Sequence, residues 1–311
     1  MNVEVKKINL NHSFIFFLFC NIFSVVIFKF SNLNISELLC LFFILTIGVS
    51  HGALDHLKGK ELLEIYNIKK IYIFYLIYLL IALSVILVWL FVPTITLIIF
   101  LTVASFHFGK EDTQFLIKKS SSITSILYFF KGFLIISAPL YFNFEETVAI
   151  FKMLLINNEQ FYLVLGLIEK FKIIHIAIGL SFISSIILFL KEFNFKKFAI
   201  FLDFCSILIL NYYLSPLIAF TIYFCFLHSI RHTISLAVEI DNTNFKNGLK
   251  LFIKKAFPLT VLTAIFSVII LYFLNNVYDL STSILQIIFI GLASLTFPHI
   301  LLEYFLEKNE K

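Results

Sequence analysis

Long apolar runs recur along the whole of this 311-residue chain, and they restrict its fold more than any other feature. Runs of ~18 or more apolar residues are typical of transmembrane helices. Only 14% of the residues are charged, whereas a soluble domain carries about a quarter. The runs lack the strict apolar–polar alternation of a membrane β-barrel, so helices must satisfy the backbone within the bilayer. The sequence therefore predicts an all-α polytopic membrane protein.

We predict one integral membrane domain over residues 1–311, a bundle of about ten transmembrane helices of ~17–25 residues each. The predicted spans are 14–30, 36–56, 71–91, 93–109, 122–142, 172–190, 197–214, 216–236, 257–275 and 282–304. Pro93 and Pro216 mark tight turns between spans, because proline suits the first turn of a helix and discourages helix before it. Residues 143–171 carry several charges and are interpreted as one or two short helices at the membrane interface.

The lysines indicate the orientation of the chain. They cluster in alternate loops and at both ends, as at Lys69 and Lys70 and again at Lys254 and Lys255. Short loops rich in lysine favour the cytoplasmic side. We therefore expect a multi-pass protein of the inner (cell) membrane with both termini in the cytoplasm. The net charge of +5 is accounted for by these loops, so the expected partner is the lipid bilayer and not nucleic acid.

Six of the eight histidines lie near the ends of even-numbered predicted spans. They are His51 and His56 in the second span, His107 in the fourth, His228 and His232 in the eighth, and His299 in the tenth. Even-numbered spans all run from outside to inside, so these imidazoles are expected at one depth, toward the cytoplasm. Ionisable side chains within a membrane are costly and usually face the bundle interior. We predict that the six converge on a metal site, and we interpret His12 and His175 as structural.

The spacing of the histidines favours metal binding. His228 and His232 are four residues apart and project from one helix face, which is the usual helical spacing of two ligands to one metal. Asp55 could accept the outward N–H of a ligating histidine. Imidazoles suit zinc, copper, iron or nickel, and the residues alone leave that choice open. The four cysteines lie singly within apolar runs and are interpreted as packing residues.

Four short stretches carry a family resemblance. They are Gly48-Val-Ser-His-Gly-Ala-Leu-Asp-His56, Phe106-His-Phe-Gly-Lys-Glu-Asp112, His228-Ser-Ile-Arg-His232 and Pro298-His299. Together, and in this order over about residues 40 to 305, they resemble the Brp/Blh family, the bacterial and archaeal β-carotene 15,15′-dioxygenases associated with rhodopsins. Such a substrate is a hydrocarbon dissolved in the bilayer, so a membrane enzyme can admit it sideways.

The resemblance implies an enzyme, a carotenoid-cleaving oxidoreductase with Fe(II) as cofactor and β-carotene and O₂ as substrates. The central double bond would be cleaved to two molecules of all-trans-retinal, for which a microbial rhodopsin is an expected recipient. The family's iron is assigned to four histidines, which correspond by motif to His51, His107, His228 and His232. The residues expected behind these ligands or in the substrate pocket are Asp55, His56, Glu111, Asp112, Arg231 and His299.

Two other functions are alternatives at this point. Another membrane iron oxidase, a desaturase or hydroxylase, would carry clustered histidine boxes that include adjacent histidines, and no adjacent pair occurs in this sequence. A histidine-lined metal-ion transporter would place polar groups near the midplane, often in repeated halves. Here the histidines lie near one face, and the sequence has no evident repeat. The carotenoid-cleaving enzyme is therefore the prediction.

Overall fold

The computed structural model describes residues 3–29, 35–50, 52–117, 121–190 and 198–309. Throughout these ranges the secondary structure is helical, without a strand, as predicted. The α-helices are α1 (Val3–Lys29), α2 (Glu37–Phe43), α3 (Asp55–Ile65), α4 (Tyr72–Phe91), α5 (Pro93–Glu111), α6 (Ser122–Gly132), α7 (Leu134–Phe142), α8 (Phe144–Met153), α9 (Glu159–Lys170), α10 (Ile173–Leu190), α11 (Ala199–Tyr213), α12 (Pro216–Ile222), α13 (Ile230–Ile240), α14 (Phe245–Leu274) and α15 (Leu280–Asn309). The shorter helical segments are the π-helical turns Ile44–Gly48 and Tyr223–Ser229 and the 3₁₀ turns Gly52–Leu54 and Gln114–Leu116.

Nine helical segments of the described ranges are long and apolar enough to cross a membrane. They are Val5–Val26, Glu37–Ile65, Tyr72–Phe91, Pro93–Leu116, Ser122–Phe142, Ile173–Leu190, Pro216–Ile240, Phe245–Leu274 and Leu280–Asn309. The predicted seventh span corresponds to α11, which is apolar but has only 15 residues. The protein is thus a multi-pass α-helical membrane protein, with one helix shorter than predicted.

Several boundaries differ from the sequence prediction. The helices α1 and α14 begin well before the predicted starts at residues 14 and 257. The prediction started late because the first turns of both helices carry polar residues, which a hydropathy criterion leaves out. Residues 143–171, in contrast, form two short helices, α8 and α9, within the prediction of one or two. The second, fifth and eighth spans are each divided into shorter helical pieces, since tertiary contacts and not hydropathy set the local helical register.

The two π-helical turns contact each other inside the bundle. The hydroxyl of Ser229 donates a hydrogen bond to the carbonyl oxygen of Gly48, at 3.1 Å. A Cβ atom at Gly48 would lie 2.6 Å from the ring of Phe224, so a larger residue there would displace this ring. Turns of this kind are frequent at functional sites. The second one contains His228, so its register decides where that imidazole points.

Glycines also bring α5 and α6 together. A Cβ at Gly109 would lie 1.8 Å from the carbonyl oxygen of Tyr128, and one at Gly132 would lie 1.9 Å from that of Ser105. Small residues allow this close packing of backbones in membrane bundles. Because Gly109 follows His107 by two residues, the contact fixes the end of α5 that carries this histidine.

The segments differ in how deeply they lie in the bundle. The apolar window of Pro216–Ile240 is 72% buried, whereas those of Tyr72–Phe91 and Phe245–Leu274 are 17% and 6% buried. The α12–α13 segment is therefore central, while α4 and α14 lie outside and expose apolar side chains. An apolar outer surface of this kind is suited to lipid.

Candidate metal centre

Four histidines from three spans meet inside the bundle. His107 lies on α5, His228 and His232 on the α12–α13 segment, and His299 on α15. The His107 ring centroid is 5.4 Å from those of His228 and His299, and that of His232 is 5.6 Å from His299. All four are buried. The structure thus brings together three of the predicted ligands and His299, while His51 lies outside the described residues.

Three of these histidines are oriented by carboxylates from other spans. The pairs are His228 Nδ1 with Asp112 Oδ1 at 3.2 Å, His232 Nδ1 with Glu111 Oε2 at 3.2 Å, and His299 Nδ1 with Asp55 Oδ1 at 2.9 Å. An ionised carboxylate accepts, so Nδ1 carries the proton in each ring. The Nε2 atom is then the one that can coordinate a metal, which is the usual arrangement behind a histidine ligand.

Each of the three carboxylates also accepts a second hydrogen bond. The donors are the Tyr223 hydroxyl to Asp112 Oδ2 at 2.7 Å, the Gln114 amide to Glu111 Oε1 at 2.6 Å, and the Tyr78 hydroxyl to Asp55 Oδ2 at 2.9 Å. These contacts fix the carboxylates, which in turn fix the imidazole rings. Asp55, Glu111 and Asp112, all expected beside the ligands, therefore lie directly behind histidines in the structure.

Glu303 lies at the centre of the cluster and was not predicted. Its carboxylate oxygens are 3.8 Å from Nδ1 of His107, 3.7 Å from Nε2 of His299 and 4.0 Å from Nε2 of His232. Lys58 on α3 approaches the same carboxylate, with Nζ 3.2 Å from Oε1. The available signal was its position four residues after His299, on the same face of α15. A glutamate near a charged terminus is common, so this spacing alone did not distinguish it.

The donor atoms are close enough to share an ion. The ligand atoms of His107, His299 and Glu303 lie within 4.8 Å of one another, and so do those of Glu111, His232 and Glu303. Imidazole nitrogens with carboxylate oxygens suit several first-row metals, and iron is one of them. The donor set therefore fits an iron ion, and Glu303 belongs to both groups.

Arg231 supports the centre from behind and does not face it. Its Nη1 atom donates to the backbone carbonyl of Asp112 at 2.9 Å, and the guanidinium bonds both carboxylate oxygens of Asp203 at 2.9 and 3.1 Å. Nη2 also donates to the hydroxyl of Ser13 at 2.7 Å. Arg231 thus fixes the residue that holds His228. Asp203 has no motif around it, and its role could not be read from the sequence.

Replacing Arg231 with methionine is expected to destabilise the protein by about 3–5 kcal/mol, because Asp203 would remain buried without its partner. The measurement is thermal unfolding of the purified protein in detergent. The double variant Arg231→Met with Asp203→Leu should recover most of the loss, since replacing both partners of a buried pair is often neutral. A single variant as stable as the unmodified protein would show that the pair does not support the fold.

A cavity of about 380 Å³, called here the near cavity, lies beside the cluster. Its wall includes His107, His228 and His299, and apolar side chains from α4, α14 and α15 complete it. His56 also lines it, with Nδ1 2.9 Å from the carbonyl oxygen of Ala53. His56 thus lies in the cavity wall and is in neither of the donor groups described above.

The other two histidines lie apart from the four. His12 Nε2 is 2.8 Å from the backbone carbonyl oxygen of Phe226. His175 is exposed on α10, where its ring contacts that of Tyr141 at 4.7 Å between centroids. Neither belongs to the donor groups described above.

Comparison with known proteins points to one family. The family model described as beta-carotene 15,15′-dioxygenase matches residues 42–307 of the chain. A protein of uncultured marine bacterium 66A03 named beta-carotene 15,15′-dioxygenase is 29% identical over 257 residues, which cover 82% of this chain and 88% of that protein. No solved structure matches the chain. The matched region contains every residue of the histidine–carboxylate cluster.

Proposed function

This chain belongs to the β-carotene 15,15′-dioxygenase family, and we propose that it cleaves the central double bond of β-carotene with O₂ to give two molecules of all-trans-retinal. The observation that carries the proposal is an apolar cavity lined at one side by buried histidines. An apolar cavity suits a hydrocarbon, and polar groups at one point of its wall can define where reaction occurs. The double bond breaks and each carbon takes one oxygen atom, so the reaction balances without a further reductant.

We propose Fe(II) as the metal, held by His51, His107, His228 and His232. His299 and Glu303 lie close enough to His107 to take the place of one of these donors. When bound, iron would supply the redox chemistry that lets O₂ react with an alkene. The protein's part is to fix the imidazoles through their carboxylate partners and to keep the surroundings apolar.

The carboxylates also balance the charge of the centre. Neutral imidazoles leave a divalent cation uncompensated, and a buried net charge is costly. Glu303 is only slightly exposed, with 13% of its side chain accessible, and it approaches three of the imidazoles. Glu111 and Asp112 add negative charge from behind His232 and His228. This arrangement favours a bound cation over an empty cluster.

The position of the near cavity supports entry of substrate from the bilayer. Phe74 and Tyr78 on α4 and Leu262 and Phe266 on α14 contribute to its wall. Both helices are mostly exposed, and in a membrane their outer faces would contact lipid. A carotene could therefore pass between them without entering water. Such a route also limits the access of water to the cluster.

Ion pairs support the proposed orientation in the inner membrane. Lys58 on α3 pairs with Glu303, and Lys110 on α5 pairs with Glu307. Both glutamates lie on α15. The cluster therefore lies at a lysine-bearing end of the bundle, which the positive-inside rule assigns to the cytoplasm. Retinal formed in this membrane could pass to a microbial rhodopsin, which we retain as the proposed recipient.

Expression in cells that accumulate β-carotene is expected to bleach them and to yield retinal. The measurement is carotene and retinal content by chromatography, with a His107→Ala variant expressed to the same level as the control. Persistent orange colour without retinal, while the protein accumulates in the membrane, would contradict the proposed activity.

One observation favours a second candidate, a di-iron membrane oxidase. Glu303 belongs to two donor groups, and a carboxylate can bridge two ions. The number of irons per chain separates the candidates, because the proposed cleavage enzyme needs a single ion.

A further inference from the structure

A second apolar cavity shares a wall residue with the near cavity. This far cavity has a volume of about 80 Å³ and is lined by side chains of α5, α7, α8, α12 and α15. Phe108 lines both cavities. It directly follows His107, and its ring centroid lies 4.7 Å from that of His228. The divider between the cavities therefore lies at the histidine cluster.

Two facing stripes of side chains connect the far cavity to the cluster. On α5, Phe100, Ala104 and Phe108 are spaced four apart, and all three line the far cavity. The second stripe begins at Phe220 and continues through the π-helical turn. Phe220 stacks on Phe224 at 5.5 Å and 9°, and the Phe224 ring lies 5.8 Å from His228 at 16°. A continuous aromatic surface thus leads from the far cavity to the proposed metal.

Cleavage of a symmetric polyene at its centre sets a geometric requirement. With the central bond beside the metal, equal halves of the molecule must extend away from it in two directions. The near cavity opens at the cluster and offers room for one half. The far cavity begins at the same cluster, and Phe108 is the side chain that lines both cavities.

We propose that the far cavity receives the second half of the carotenoid and that Phe108 is the gate through which this half passes. The proposal rests on the proposed function. A cavity of about 80 Å³ is too small for half a carotene, since drug-sized ligands occupy roughly 300–1,000 Å³. The Phe108 ring must therefore turn aside when substrate enters. The depth of the far cavity then determines which bond of the polyene stops beside the histidines.

The test fills the far cavity and compares two substrates. Ala104→Phe places a ring between Phe100 and Phe108, away from the carboxylates. One substrate is β-carotene, and the other is β-apo-12′-carotenal, which keeps one ring and the central double bond but lacks most of the second half. The ratio of kcat/KM for the long substrate to that for the short one should fall on the order of tenfold or more, because exclusion is steric. Ala264→Phe, on α14 and outside the linings of both cavities, should leave the ratio unchanged.

The readouts separate this proposal from the proposed function. If the unmodified protein cleaves neither substrate, the proposed function itself fails. The far cavity does not hold substrate, and the proposal is overturned, if Ala104→Phe retains its iron and its kcat/KM falls equally for both substrates. The same conclusion follows if kcat/KM falls for neither substrate. Ile136→Phe fills the same cavity from α7, and it gives the same comparison if the first variant does not accumulate.

Discussion

Alanine at His228 is expected to remove both bound iron and carotene cleavage. This imidazole lies in the π-helical turn, is 1% exposed, and is held by Asp112. Its loss removes a proposed ligand and leaves Asp112 facing an empty space. The effect should exceed the ~10–100-fold loss that follows from removing a residue behind a metal ligand. The same result is expected for alanine at the other proposed ligands, His51, His107 and His232.

The measurements are iron content by elemental analysis and retinal formation by chromatography, both on purified protein. The matched control is His175→Ala, because this histidine is exposed on α10 and lies apart from the cluster. It should retain iron and activity. Full activity in any of the four variants would remove that histidine from the ligand set. An inactive His175→Ala protein would show that the assumed topology is wrong.

Glu303→Gln is expected to weaken metal binding at least ~10–100-fold and to reduce cleavage accordingly. Glutamine keeps the shape of the side chain but removes the charge that lies near His107, His232 and His299. It also leaves Lys58 without its ion-pair partner. Both changes disfavour a bound cation.

The chain offers a matched control on the same helix. Glu307 lies one turn beyond Glu303, pairs with Lys110 and has 51% of its side chain exposed, so Glu307→Gln should bind metal normally. Titration with cobalt(II), followed by absorbance, reports affinity without turnover. Equal affinities for the two variants would show that Glu303 does not contribute to the metal site.

The helical fold could be read from the sequence because hydropathy and helix length are local properties. The tight turns at Pro93 and Pro216 follow from the chemistry of proline, and the structure has them. The π-helical turns could not be predicted in this way. They depend on contacts such as that of Ser229 with Gly48, which join residues far apart in the chain.

Part of the cluster could be anticipated from the sequence for a related reason. Histidines on even-numbered spans share an end of the bundle, so topology alone suggests that they meet. Which carboxylate holds which imidazole is a matter of packing between spans, as for Asp55 with His299. Glu303 was missed because no motif marks it. Among 41 phenylalanines, the sequence could not single out Phe108 as the residue between two cavities.

Imidazoles from separate spans are proposed to hold one ion. The most direct test is the iron content of purified protein that actively converts β-carotene to retinal, measured against protein concentration by quantitative amino-acid analysis. A single iron per chain is expected, and it should be lost together with activity in the histidine variants. Active protein without iron, or with a second iron in each chain, would contradict it.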